Sequence, residues 1–467
     1  MNDQSPQGIQ IHKLIEGSFL FCSPQGNILF GCPPEILKRI LALHLPMPDT
    51  IVLPENLHHN HSSQSSLEFP FYHFLFVQRG LDRGRQFQVV ANTRQCKGVE
   101  ELLRVTVTGP TAEEMVQYGT PPDLAREIYQ ETYYLCLKNP KNKNKPYIIS
   151  EMVNFNPLST GERTEVYKSQ EKFPAVLLER TGDATFRVLY GEDAYDLDLR
   201  VSAEQKPNYK INHQKFNSDP GRFEITVLGR SNGFDPNDPA NGYLLNIDGK
   251  IVLWDCPAYL HQHLKAMGID AKDIDAFILS HVHEDHIDTS ESLRDPPMDL
   301  YTTPEIYYSL LVKLSGVFGC SLEEAKKYHR WHPIDINKPN MEIVGAQFSF
   351  FHSVHAIPAL GVRIEKDING SKGLLHISGD HLSQEALKNM YQNKGISERR
   401  FKQVNSLLNG METLTLMDVG GGAIHGDYRE FLGAKGRMRF MHTGLINDEL
   451  PEGMELVKSG QVMNVME

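Results

Sequence analysis

Apolar residues in this chain gather in short runs. Ile28-Leu29-Phe30, Ile51-Val52-Leu53, Ile251-Val252-Leu253-Trp254, Phe277-Ile278-Leu279, Leu374-Leu375 and Leu414-Thr415-Leu416-Met417 are each brief and close on a polar residue, Gly or Pro within a few positions. That is the pattern of strands buried on both faces. Helical spacing lies between them, in Ile36, Leu37, Ile40 and Leu41, in Leu260 to Met267, and in Ile306, Leu310, Leu311 and Leu314 after Thr303-Pro304. A helix is expected from Pro121 to about Lys138, with Thr120 as its cap and prolines in its first turn. Ser321-Leu322-Glu323-Glu324 has the form of a capping box. Alternation at Phe87, Val89 and Val90, and again at Val105 and Val107, predicts strands across residues 85–109. Residues 170–200 read as a hairpin turning at Thr181-Gly182-Asp183 and Gly191-Glu192-Asp193. Strands alternating with helices place the chain in the α/β class.

One order of elements occurs twice. Gly249-Lys250-Ile251-Val252-Leu253-Trp254-Asp255-Cys256-Pro257 repeats Gly26-Asn27-Ile28-Leu29-Phe30-Gly31-Cys32-Pro33 with one residue inserted. Asp275-Ala276-Phe277-Ile278-Leu279-Ser280 likewise matches Asp49-Thr50-Ile51-Val52-Leu53-Pro54 at nearly the same offset. A duplicated supersecondary unit is the expectation. The polar, turn-rich stretch from Asn208 to Arg222 marks a boundary.

The second copy carries the chemistry. Its strand Phe277-Ile278-Leu279-Ser280 runs into His281-Val282-His283-Glu284-Asp285-His286. The C-terminal ends of strands are where open α/β folds place their sites. His281 and His283, two apart, can pinch one cation; Asp285 and His286 come later and suit a second. Imidazole and carboxylate are ligands that Zn2+ or Fe favours. Further candidates end other strands. His355 precedes Ile357-Pro358, whereas His352, an odd number of residues away, faces the other side of an extended chain. Asp380 follows Gly379 and could bridge two cations, or could cap the next helix. Gly420-Gly421-Gly422 could turn N–H groups toward an anion; His425 lies just beyond, and His442 ends the last strand. His58, His59 and His61 lie in a polar loop of the first copy, lack ligand spacing and read as solvated.

This His-x-His-x-Asp-His signature with His355, Asp380 and His442 resembles the metallo-β-lactamase superfamily over about residues 223–445. Leu228-Gly229-Arg230-Ser231-Asn232-Gly233 and the stretch from His355 to Gly361 look like its ribonuclease Z and phosphodiesterase branch. The resemblance implies an αββα sandwich and two divalent metal ions, with Zn2+ favoured and Fe or Mn as alternatives. It implies that His281, His283 and His355 hold one ion, that Asp285, His286 and His442 hold the other, and that Asp380 bridges. The expected organisation is a degenerate, metal-free metallo-β-lactamase-like domain over 1–150, a connecting hairpin and linker over 151–215, and the catalytic domain over 216–467. The expected activity is hydrolysis of a small or nucleotide-like phosphodiester by metal-activated water. Asp285 orients that water and His425 protonates the leaving oxygen. A thioester or lactone hydrolase, or a regulatory binding protein with a vestigial site, is the alternative. Asp418-Val419-Gly420 stands where that branch commonly has His-Glu-Ala-Thr, and His381 replaces a usual Thr. No basic tRNA-gripping arm lies between Asp288 and Phe350, which counts against tRNA processing.

Composition narrows the partners. The 467 residues, 40% hydrophobic and 23% charged, carry a formal charge of −12. A broad basic face for long nucleic acid is disfavoured, and a local basic groove stays open; the resemblance implies a small-molecule or nucleotide-like substrate, and homo-oligomerisation stays open. No apolar run approaches the ~18 residues of a membrane helix, and the polar N-terminus has no signal-like apolar region. Six scattered cysteines without Cys-x-x-Cys read as buried thiols of a reducing, cytoplasmic setting.

Overall fold

A computed structural model describes residues 8–59, 62–293, 295–338, 340–407, 413–433, 437–446 and 449–466. His61 of the polar histidine loop lies outside them. The chain forms two compact units. One contains residues up to Leu103, Tyr147–Asn208 and Lys313–Ser321; the other contains Arg104–Pro146, Tyr209–Val312 and Leu322 onward.

The first unit has a six-stranded sheet in the order Gln10–Ile15, Ser18–Ser23, Gly26–Phe30, Thr50–Val52, Phe87–Ala91 and Val153–Pro157. Its first three strands are an antiparallel meander and the rest run parallel. Residues 151–208, expected as hairpin and linker, contribute the last of these strands and a four-stranded antiparallel sheet. That sheet comprises Arg163–Tyr167, Val176–Arg180, Thr185–Tyr190 and Asp193–Asp198. Phe21, Ile28, Phe30, Val52 and Val90 of the larger sheet share a core with Val176, Leu178, Phe186, Val188 and Tyr190 of the smaller. The alternating burial of Thr185–Tyr190 shows the half-covered face this requires.

The second unit is an αββα sandwich of the metallo-β-lactamase type. Its larger sheet follows the order His329–Pro333, Met298–Thr302, Ala276–Ile278, Lys250–Trp254, Gly242–Ile247, Phe223–Gly229 and Val462–Asn464. The other sheet comprises Met341–Ile343, Ala346–Ser353, Ala359–Ile368, Ser371–Ile377, Leu414–Asp418 and Met438–Met441. Every residue of Gly242–Ile247 and of Leu414–Asp418 is buried, as in strands covered on both faces. Phe223–Gly229, Gly242–Ile247, Lys250–Trp254, Ala276–Ile278, Met298–Thr302 and His329–Pro333 repeat the order and senses of the first unit's larger sheet.

Some expectations fail locally. Val105 and Val107 belong to the helix Thr93–Val107, not to a strand. Asn92 Oδ1 accepts from the Gln95 N–H at 2.8 Å, and Cys96, Val99, Leu102, Leu103 and Thr106 are buried at helical spacing, so cap and amphipathic face override β-branching. Thr120 does not cap the helix Pro122–Leu135; its hydroxyl donates to Glu305 Oε2 at 2.7 Å. The stretch after Ser321 makes only the four-residue helix Leu322–Ala325. His58 is not a solvated loop residue. Its ring packs on Phe318 with centroids 4.8 Å apart, and burial lowers its pKa to about 4. Five cysteines are buried free thiols, but Cys320 is only half-buried. Among the described residues, no helix is long and apolar enough to cross a membrane.

Candidate metal centre

The parallel strand Ala276–Ile278 ends where Leu279 N–H donates to Tyr301 O at 3.2 Å, and the chain then turns away from the sheet. His281 and His283 follow at once. Asp380 leaves the neighbouring sheet after Gly379, whose φ is +61° and whose Cβ would come 2.0 Å from Leu360 O. Only glycine fits that turn. His442 takes φ 58°, a sparsely populated conformation that a non-glycine residue adopts where its surroundings impose it.

All seven sequence-predicted ligands lie together, and His425 lies with them. Four overlapping groups could each hold a cation: His281, His283 and His355; His281, His286 and Asp380; Asp285, His286 and His442; and Asp380, Asp418, His425 and His442. The nitrogens left over after hydrogen bonding face inward. Ser280 Oγ donates to Asp255 Oδ2 at 2.8 Å, so it must accept from His281 Nδ1 at 3.0 Å, which leaves His281 Nε2 free. His283 Nε2 donates to Thr106 O at 2.9 Å, and His355 Nδ1 donates to Ile424 O at 3.2 Å. His283 Nδ1 then lies 3.1 Å from His281 Nε2 and 3.2 Å from His355 Nε2. Three lone-pair nitrogens meeting at one point, with no proton left to share between them, could hold a cation.

The second group forms around Asp380 Oδ2, which is 3.4 Å from both His286 Nε2 and His442 Nε2 and 3.7 Å from His281 Nε2. Asp285 Oδ2 lies 3.1 Å from His442 Nε2. Asp380 Oδ1 is buried without a hydrogen-bond partner. An orphaned carboxylate oxygen among imidazoles fits a divalent cation. Asp380 does not cap the following helix, because Ser383 Oγ accepts from the Ala386 N–H at 3.1 Å. His352 is turned elsewhere: its Nε2 bonds Glu305 Oε1 at 2.5 Å.

Electrostatics divides the histidines. Burial pushes the His281 and His283 imidazoles well down and His355 to about 4, which keeps them neutral. Burial also opposes charge on His286 and His442, but carboxylates outweigh it. Asp380, Asp285 and Asp255 raise His286 well above its ordinary value; Asp380, Asp285 and Asp418 raise His442 to about 10. Against their own burial, Asp285 and Asp380 are held well below the usual carboxylate range by these histidines.

Three supporting groups were not singled out from sequence. Asp255 accepts from His286 Nδ1, Ser280 N–H and Ser280 Oγ, each at 2.8 Å. It ends an apolar run before Cys256-Pro257, a visible signal. Asp418 organises the far side: Oδ2 accepts from His425 Nδ1 at 2.8 Å and from the His381 N–H at 2.9 Å, and Oδ1 accepts from the Gly420 N–H at 2.8 Å. Gly421 N–H is spent on Gly426 O at 3.0 Å. Two of the three glycine N–H groups therefore close their own loop, which corrects the expected anion nest. The Thr106 carbonyl ends a helix. Its intrahelical donor would be residue 110, a proline without an N–H, and the carbonyl accepts from His283 Nε2, which fixes the His283 tautomer.

Fold and site together show a metallo-β-lactamase-type αββα domain in the second unit, with a buried cluster of histidines and aspartates that could hold divalent cations. A family model described as Anti-Pycsar protein Apyc1 matches residues 223–414. The chain is 32% identical over 164 residues to the cGMP-dependent 3′,5′-cGMP phosphodiesterase A of Dictyostelium discoideum, covering 35% of this chain and 18% of that protein. It is 23% identical over 402 residues to the cAMP/cGMP-dependent 3′,5′-cAMP/cGMP phosphodiesterase B of the same organism, covering 74% and 36%. The match to the Anti-Pycsar protein Apyc1 of Paenibacillus harenae is 31% over 86 residues, 18% of this chain and 36% of that one. The alignments thus span about a fifth to a third of their curated relatives' lengths. The solved metallo-β-lactamase-fold protein YhfI of Bacillus subtilis is 18% identical, with a TM-score of 0.39, covering 52% of this chain and 99% of that one.

Proposed function

We propose that the second unit is a metal-dependent phosphodiesterase that opens or cleaves a small nucleotide-like phosphodiester, with 3′,5′-cyclic nucleotides as the leading class. The observation that carries this is the gathering of five imidazoles in two adjoining groups, His281–His283–His355 and Asp285–His286–His442, with Asp380 Oδ2 within 3.8 Å of both. The substrate class is supported by the names of the relatives. His281, His283 and His355 would hold one divalent cation, and Asp285, His286 and His442 the other, with Asp380 between them; Zn2+ suits this donor set, with Fe or Mn as alternatives. Two such cations supply Lewis acidity toward phosphoryl oxygens and bring the ionisation of water toward neutral pH.

The chain's own residues do the rest. Asp255 and Ser280 fix the faces that His286 and His281 present. Asp285 accepts a hydrogen bond from the attacking water and aims it. Asp418 Oδ2 accepts the hydrogen bond of His425 Nδ1–H, so His425 Nε2 is the atom that hands a proton to the leaving oxygen. The first unit is, in this reading, a degenerate copy of the fold that holds no metal.

Metal-replete protein should hydrolyse 3′,5′-cyclic AMP or cyclic GMP, and bis-p-nitrophenyl phosphate, and should lose this activity on chelation. Hydrolysis of a thioester or a lactone with none of any phosphodiester would overturn the assignment.

A further inference from the structure

Two cations placed on His281–His283–His355 and on Asp285–His286–His442 leave one ligand group of the centre without a cation of its own: Asp380, Asp418, His425 and His442. We propose that this group is an alternative seat for the second cation, and that a cation lodged there takes His425 out of proton transfer. The seat is read from geometry; its effect on catalysis rests on the phosphodiesterase reading and adds an inactive, fully loaded state to that same centre.

Asp380 and His442 serve both seats, with Asp380 Oδ2 and His442 Nε2 3.4 Å apart. The first seat adds Asp285 and His286, whose Oδ2 and Nε2 lie 3.1 Å and 3.3 Å from His442 Nε2. The alternative seat adds Asp418 and His425. His425 Nδ1 is 2.8 Å from Asp418 Oδ2 and 3.7 Å from Asp380 Oδ2, and a ligand atom from each of the four residues lies within 4.8 Å of the other three. Each seat thus offers two carboxylates and two imidazoles, donors that Zn2+ or Fe accepts. Ligand type does not choose between them.

The alternative seat is firmly held on its carboxylate side. The backbone N–H groups of His381 and Gly420 donate to Asp418 Oδ2 at 2.9 Å and Oδ1 at 2.8 Å, which fixes the carboxylate as outer hydrogen bonds do for metal ligands. The His425 side chain is 16% exposed, against 1% for His286, so this seat is the nearer to solvent. A lone pair on His442 Nε2 serves one cation at a time, so the second cation occupies one seat or the other.

The choice of seat changes the chemistry. With the alternative seat empty, a proton joins His425 Nδ1 to Asp418 Oδ2. A cation bound there replaces that proton, which passes to water, and joins the two side chains itself. His425 is then a ligand held at Nδ1, and the Asp418–His425 pair that serves the leaving oxygen no longer exists. Asp285, which aims the attacking water, loses its place beside the cation at the same time. The centre is switched off while it stays loaded.

The test counts cations. The full chain is stripped with chelator, reloaded with Zn2+, freed of loosely held ions by gel filtration and measured by elemental analysis. The parent and His425→Ala should each hold two cations per chain. Asp285→Ala with His286→Ala, which removes the residues peculiar to the first seat, should also hold two, because the second cation moves to Asp418 and His425. Adding His425→Ala to that pair should leave one. Asp285→Ala alone, with and without His425→Ala, carries the same comparison where the double variant does not fold. In Co2+-loaded protein, His425→Ala should alter the visible absorption of the first-seat variants and leave that of the parent unaltered. One cation in the first-seat variants, two after His425→Ala is added, or one in the parent would overturn the proposal. A chain that hydrolyses phosphodiesters but keeps a single cation in the first-seat variants sinks the alternative seat alone. One whose counts run as stated yet which hydrolyses no phosphodiester sinks the catalytic reading alone.

Discussion

His425 shows how one carboxylate gives one histidine a task. Asp418 fixes its Nδ1, and its ring lies 4.7 Å from that of His442. His425→Ala should leave both cations bound, by elemental analysis, and lower kcat by about 10²–10⁴-fold on an alkyl diester. The loss should be small on a nitrophenyl diester, whose leaving oxygen barely needs a proton. The neighbouring ligands make a pH prediction. His442, raised to about 10, and His286, also raised, must each lose a proton before binding a cation; His355, lowered to about 4, is already neutral. From about pH 5 upward the affinity of the Asp285–His286–His442 group should therefore climb, by up to roughly a hundredfold per pH unit while both are protonated. That of the His281–His283–His355 group should stay nearly flat. Calorimetric metal titrations in buffers of different ionisation enthalpy would count the released protons. The identity of these side chains was legible from their spacing at strand ends. Which nitrogen each turns inward was not, because partners such as Thr106 O and Ile424 O come from distant segments.

At the scale of elements, two turns hold the ligands in place. Gly379 lets the strand Ser371–Ile377 bend into Asp380. Gly379→Ala combines a left-handed φ with a Cβ contact of 2.0 Å, and should cost about 1–3 kcal/mol and reduce bound metal, read by thermal denaturation and elemental analysis. Asp255 ends the strand Lys250–Trp254 and orients His286. Asp255→Asn should weaken the second cation by about 10–100-fold while leaving the His281–His283–His355 group intact, by competition with a chromogenic chelator. The strands were readable as buried runs. The helix Thr93–Val107 was not, because its valines suggest strands and only the Asn92 cap with the buried face reveals it.

At the scale of the whole molecule, chain order and spatial grouping part company. Residues Arg104–Pro146 precede the last strands of the first unit yet pack into the second. They supply the Thr106 carbonyl to His283, and Glu131 to Arg400 in a buried pair at 2.9 Å. Glu131→Ala would strand a buried guanidinium and should cost about 3–5 kcal/mol. Glu127→Ala, facing the exposed Arg399, should cost about 1 kcal/mol or less. Chemical denaturation would separate the two. The sequence by itself determined the strand ends, the candidate ligand residues that the fold brings together and the repeated order of elements, because burial, side-chain chemistry and turn residues are local properties. Tertiary structure alone decided that Arg104–Pro146 joins the later unit and that Asp418 and Asp255 hold the histidines. Each of these depends on which distant segments meet, and that is settled by the burial of apolar faces and the pairing of buried polar groups across the whole chain.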